Sequence, residues 1–153
     1  MNLELKHLTP YLPYDLKGIS KDENLGIEIV KGYSTYGNNR GICLTTNVDD
    51  IDIEGFLPIL RPLSDLTKDI EVNGERFVPI KKLQSVFSKR LRFDEDGFYN
   101  HDEVSMVNRG GDKIFTFNQL DAYSFLFEWH FDVFGLIPAG LAIDINTIDQ
   151  CTH

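Results

Sequence analysis

The sequence has little of what marks the easily recognised classes of protein. It holds two cysteines in 153 residues, Cys43 and Cys151, which form no CxxC pair, so it offers neither a disulfide framework nor the paired thiols of a zinc or redox motif. A reducing compartment follows as the simple expectation. Cys43, inside the apolar run ICL, is read as a small core residue and Cys151 as an incidental thiol. No apolar run approaches the ~20 residues that cross a bilayer, and the first residues lack the basic, apolar and small-residue succession of a secretory leader. Repeats and low-complexity tracts are missing. So are the GxxxxGK[ST] order of a phosphate loop and the GxSxG of a nucleophile elbow, which leaves a hydrolase without an anchor and gives no cofactor to expect. Positive charge is also scarce: 15 Lys and Arg stand against 24 Asp and Glu, a net charge of −9. Nucleic acid and anionic membrane are therefore poor partners, because both need a basic footprint that releases counterions. A protein with a basic surface is the more natural one, in a cytoplasmic setting.

What is present is an ordinary globular composition, 42% hydrophobic, with 11 Phe and 6 Tyr that point to a core of large rings. At this length a single domain over residues 1–153 is the expectation. Pro10 and Pro13 favour an extended, irregular arm at the start. Leu25, Ile27 and Ile29 then alternate with Gly26, Glu28 and Val30, the period of a half-buried strand. A turn at Gly37-Asn38-Asn39 leads into Ile42–Leu44 and implies a hairpin, and a third strand over 48–53 would turn Ile51 and Ile53 inward. Leu63, Leu66 and Ile70 recur at helical spacing and predict a short helix over 63–71 ending at Asn73-Gly74, although the same dipeptide would suit a type I′ hairpin between Ile70–Val72 and Arg76–Val78. Pro79 opens a second short helix continued by Ile80, Leu83, Phe87 and Leu91. From 92 to 117 the pattern is β, with turns at Asp96-Gly97 and over Asn108–Asp112. A long amphipathic helix follows over 119–134. The fold class is α+β: antiparallel hairpins, two short central helices, and one long C-terminal helix packed on the sheet.

Three blocks, LKHLTPYLPYDLKG from Leu5, ILRPLSDLTKDIEVNGERFVPI from Ile59 and EWHFDVFGLIPAGLAIDINTI from Glu128, together resemble a family of small uncharacterised proteins encoded in phages and prophages of Bacteroidetes. Pro138-Ala139 departs from the charged pair expected between GLI and GLAIDIN. The resemblance implies a phage or prophage setting and a bacterial cytoplasm, and it implies no mechanism.

Glu128, His130 and Asp132 invite a metal or acid–base reading. On a helix, however, positions two apart diverge by ~200°, so Glu128 and Asp132 share a face while His130 points away, among Tyr123, Leu126, Phe127, Phe131 and Phe134. The Gly135 stop and Pro138 beyond it favour that helix. His130 is thus read first as a buried, hydrogen-bonded structural histidine and only weakly as a catalytic candidate, which would need a distant carboxylate such as Asp144. Asp49, Asp50, Asp52 and Glu54 form the densest acidic cluster. On a strand Asp50, Asp52 and Glu54 would share one face and are weak candidates for a hard cation, a solvated face being the plainer reading. The segment 94–103 misses the EF-hand spacing, and 108–113 has glycines without a phosphate-loop order. Lys81, Lys82, Lys89, Arg90 and Arg92 read as an exposed basic helix face, and His7, His101 and His153 as solvated. The expected function is a non-enzymatic, phage- or prophage-encoded binding protein acting through an acidic, aromatic-rich surface. The alternatives are a small metal-dependent or acid–base enzyme using His130 with a carboxylate and, more weakly, a mimic of nucleic acid.

Overall fold

The computed structural model describes residues 1–22, 26–35, 41–87, 91–94, 97–100, 106–107, 113–114 and 119–148. Their contacts group into two compact units, Met1–Leu63 with Leu126–His153, and Ser64–Phe125. The chain is mixed α and β with a mainly antiparallel sheet. No helix among the described residues is long and apolar enough to cross a membrane.

In the first unit the N-terminal stretch is helical rather than extended. Helix α1, Leu5–Leu8, runs into a 3-10 helix over Thr9–Tyr14. Pro10 falls in its first turn, where no N–H is needed. Pro13 gives up a donor inside it, and that loss is outweighed because this winding turns Leu3, Leu8, Tyr11 and Leu16 into the core. A six-stranded sheet lies in the order β12-β5-β1-β2-β3-β4, where β1 is Lys17–Ser20, β2 Glu28–Thr35, β3 Ile42–Thr46, β4 Asp50–Asp52, β5 Phe56–Leu60 and β12 Ile143–Asp144. All neighbours are antiparallel except β12 and β5. The core gathers Val30, Leu44, Ile51, Ile53, Phe56, Leu60 and Leu136 with the four arm residues, and Phe127, Phe134 and Ile137 pack against it.

The hairpin of β2 with β3 is present, while the Gly37-Asn38-Asn39 turn expected at its tip, like Leu25, lies outside the described residues. The face of β2 is the reverse of the expected one. Glu28 and Val30 are buried, Ile27 is exposed, and Ile29 pairs with the exposed Lys17 on the outer side. The register with β1 and β3 decides this, since Glu28 stands opposite Gly18 and Val30 opposite Thr46, both buried. Ile51 and Ile53 face inward as expected, but β4 stops at Asp52 and Ile53–Gly55 is a 3-10 turn.

The helix expected over 63–71 is replaced by a 3-10 helix at Leu63–Thr67 and a strand, β6, over Ile70–Val72. Strand β6 forms a hairpin with β7, Glu75–Phe77. Asn73 at φ 52 and Gly74 at φ 83 turn it, the positive angles that a type I′ turn demands. Helix α2, Pro79–Val86, starts on its proline and buries Leu83, but it ends before Leu91, which opens β8, Leu91–Asp94. Strand β9, Gly97–Asn100, pairs with β8 and takes Gly97 into the ladder, so Gly97 is not in the turn. Strands β10, Met106–Val107, and β11, Lys113–Ile114, pair across the Asn108–Asp112 loop, which itself lies outside the described residues. Helix α3 covers Gln119–Glu128 and not 119–134: the long C-terminal helix is absent, and a short α4, Ile145–Ile148, ends the described chain.

Candidate functional site

The block Glu128–Asp132 leaves the helix at its first residue. The Phe131 N–H bonds the Leu126 carbonyl at 2.8 Å and the His130 N–H bonds that of Phe127 at 3.0 Å, the paired closures of a Schellman motif. In that motif the left-handed position is usually glycine, yet here it is His130, at φ 57. Histidine is among the few side chains enriched there, at a cost of about 1–2 kcal/mol against the right-handed form. Its ring recovers part of that cost: Nε2 lies 2.8 Å from the Tyr14 carbonyl, and since a carbonyl only accepts, Nε2 carries the proton. Tyr14 ends the 3-10 helix, so the imidazole satisfies one of that helix's open carbonyls.

Beyond His130 the chain runs beside β5. The Arg61 N–H donates to the His130 carbonyl and the Asp132 N–H to the Arg61 carbonyl, both at 2.8 Å, which brackets Phe131 in a parallel bridge. The Tyr11 hydroxyl donates to the Phe131 carbonyl at 2.6 Å and accepts the Val133 N–H at 3.3 Å. Its ring meets Phe127 edge-on at 5.1 Å and Phe134 at 6.4 Å, within a cluster where His7 lies 5.5 Å from Phe134. Burial pushes the Tyr11 phenol well above the usual tyrosine range; the Val133 N–H works against that shift and the Asp132 carboxylate adds to it. Tyr11→Phe should cost about 1–3 kcal/mol in urea unfolding, because the Phe131 carbonyl loses its donor inside the protein. A loss below about 0.5 kcal/mol would mean that water reaches that carbonyl.

Asp132, buried at 4% exposure, accepts the Leu136 N–H at 2.7 Å on Oδ1 and the Ile137 N–H at 2.8 Å on Oδ2. It thereby heads a turn closed by Gly140 N–H on the Ile137 carbonyl and Leu141 N–H on that of Leu136, with Gly140 at φ 71. Asp144 accepts the Asn146 N–H at 2.9 Å and so caps α4, and no hydrogen bond joins it to His130 among the described residues. The three side chains from which an acid–base pair was to be built are therefore each engaged with main chain.

Burial lowers the His130 pKa from its ordinary 6.5; the Tyr14 bond raises it, Lys17 and Arg61 lower it further and Asp15 raises it. As pH falls through 6.5 the unfolded chain takes up its proton before the folded one does. The stability tied to neutral His130 is thus complete above that pH and is lost on acidification. The slope is bounded at about 1.4 kcal/mol per pH unit. Thermal melts between neutral pH and mildly acid pH should show a fall that His130→Asn, a residue tolerant of the left-handed conformation, makes shallower. An equal fall in the variant would assign the acid sensitivity elsewhere.

The other candidates are dispersed. Asp50 and Asp52 are exposed on β4, but Glu54 sits on the 3-10 turn and not on their strand face. No group of three or more His, Cys, Asp and Glu able to hold a metal occurs among the described residues. His7 is buried, not solvated, and its Nδ1 accepts the Glu4 N–H at 3.1 Å. In the basic stretch Lys81 is exposed, whereas Lys82 pairs with Glu75 at 2.9 Å and lies 4.2 Å above the Phe77 ring; Lys89 and Arg90 are outside the described residues. Glu28, fully buried on β2, is a residue that periodicity missed. It accepts the Thr46 hydroxyl on Oε2, and its Oε1 has no partner among the described residues. No family model matches the chain, and no curated protein and no solved structure does so.

Proposed function

We propose that the chain is a non-enzymatic, phage- or prophage-encoded accessory protein that binds a protein partner with a basic surface through the acidic edge at β4. The observation that carries this reading is four exposed carboxylates in six residues, Asp49, Asp50, Asp52 and Glu54, on and beside the edge strand of the sheet. None of the four belongs to an ion pair among the described residues. An acidic edge steers a cationic partner and repels an anionic one. The aromatic share of the surface is smaller than composition suggests, because Tyr11, Phe56, Trp129 and Phe131 are buried and Tyr33 is the one exposed ring among the described residues. Support for an acid–base enzyme is correspondingly thin, with His130 Nε2 and both Asp132 oxygens bonded to main chain.

Co-purification of the tagged chain from bacterial lysate tests the reading, with a variant carrying Asp49→Asn, Asp50→Asn, Asp52→Asn and Glu54→Gln alongside. A basic protein retained at low salt, released as the Debye length shortens to about 3 Å near molar salt, and lost in the variant is the expected result. A partner held equally by both proteins, or at every salt concentration, would overturn it.

A further inference from the structure

His130 is the group whose surroundings the fold fixes while leaving its reactive atom open. With Nε2–H held by the Tyr14 carbonyl at 2.8 Å, the lone pair of the neutral ring resides on Nδ1. Nδ1 carries no hydrogen bond among the described residues and does not belong with the buried side-chain atoms that lack one, so solvent reaches it. His7 has the opposite arrangement, its Nδ1 occupied by the Glu4 N–H and its side chain buried. The backbone at φ 57 is one that glycine or asparagine would hold at lower cost, and strain of this kind gathers where a side chain has work to do. Lys17, exposed, and Arg61 are the cations that act on the ring; Asp15 is the anion, its carboxylate tied to Lys31 at 3.3 Å. A depressed pKa keeps the ring unprotonated near neutrality, and the positive charge of Lys17, which acts on the ring, favours an anionic reagent there.

We infer that His130 is a modification site, its Nδ1 a nucleophile that accepts a phosphoryl group from a donor holding phosphorus through nitrogen. In that step the Nδ1 lone pair forms the new N–P bond as the donor's P–N bond breaks. The donor nitrogen departs as a neutral amine with the bonding pair and the proton it already carried. The ring keeps its Nε2 proton as a phosphoimidazolium, still bonded to Tyr14, and nothing is oxidised or reduced. A phosphoryl group there adds about −1.5 to −2 charge to a ring on which the Lys17 charge acts. This inference stands apart from the binding reading and does not rest on it.

The test is incubation of the full chain with potassium phosphoramidate near neutral pH, with N-acetylhistidine as reference, the residue identified by mass spectrometry and the ring nitrogen by phosphorus NMR. The expected product is a single adduct on His130 at Nδ1, formed on the order of tenfold faster than on the free imidazole. The reference should react mainly at its less hindered Nε2, so the ring position separates an oriented histidine from one that is merely exposed. Lys17→Ala should slow the reaction by about twofold or more, and His130→Asn should remove the adduct. Reaction at Nε2, or no faster than the reference, or no adduct at His130, would overturn the inference. Should His130→Asn fail to fold, the ring position in the native chain and the Lys17→Ala rate decide the question unaided.

Discussion

Replacing Gly18 by alanine should destabilise the protein by about 3 kcal/mol, and more if the strands cannot part. Gly18 sits in the middle of β1, opposite Glu28 of β2 on one side and Pro58 of β5 on the other. A Cβ built there falls onto Cζ of the Phe56 ring and 2.6 Å from the Leu57 carbonyl oxygen. The ring has nowhere to retreat, since Phe56 is fully buried in the main core, and the carbonyl belongs to the backbone that pairs with β1. Both obstacles are thus rigid, and overpacking must be relieved by moving β5 away from β1. At about 2–4 °C per kcal/mol for a chain of this size, the melting temperature should drop by roughly 10 °C. Gly32 is the matched control: it is also in a strand, with nothing within 4 Å of its built Cβ, so Gly32→Ala should stay within about 0.5 kcal/mol. A Gly18→Ala protein that loses less than about 1 kcal/mol would mean that Phe56 does not lie over the Gly18 backbone.

The strands that were legible in the sequence are those whose side chains obey one rule throughout. Ile42–Leu44 is an unbroken apolar run and became β3, and Ile51 and Ile53 alternate with acids and face the core. Strand β2 breaks the rule because its inward side carries Glu28, a fully buried side chain bonded to Thr46, so that alternation of apolar residues puts Ile27 on the face it does not take. No periodicity predicts a buried acidic side chain, because its burial depends on a hydroxyl 18 residues away. The segment 63–77 was ambiguous for another reason. Leu63, Leu66 and Ile70 fit a helix as well as a 3-10 turn followed by a strand, and only the Asn73-Gly74 turn, with both residues at positive φ, favours the hairpin.

The end of α3 misled for a reason that bears on the candidate site. Apolar spacing continues from Leu126 through Phe131 to Phe134, and the first glycine is Gly135, so a helix to Phe134 was the natural reading. The turn that stops the helix six residues earlier buries Phe131 completely and uses a histidine where glycine would have announced it. Once the helix ends there, facing arguments about Glu128, His130 and Asp132 lose their basis. Their partners are set instead by contacts as distant as the 116 residues between His130 and Tyr14. What was legible was that His130 would be hydrogen-bonded; the full burial expected for it is not met, since the residue is only partly buried. That its Nδ1 stays open was not legible, because ring orientation is decided by the partner at Nε2.

Asp132→Ala should be the costliest single change at that site, about 4 kcal/mol by urea unfolding. Both carboxylate oxygens accept main-chain N–H groups, from Leu136 at 2.7 Å and Ile137 at 2.8 Å, and charge-assisted bonds of this kind contribute about 1.5–3 kcal/mol each. Alanine removes both acceptors and leaves two donors without partners, one of them on Leu136, a fully buried member of the core. Asp132→Asn keeps the shape and one acceptor but turns an NH2 toward the other N–H, so it should cost about half as much. The effect should also be local in origin: amide exchange at Leu136 and Ile137 should speed up before that of β2 and β3 does. Because the neighbouring Phe131 carbonyl takes the Tyr11 hydroxyl, Asp132→Ala and Tyr11→Phe should be coupled by at least about 0.5 kcal/mol in a double-mutant cycle. Strict additivity, or an alanine variant within about 1 kcal/mol of the native protein, would show that the turn over 136–140 holds without its carboxylate.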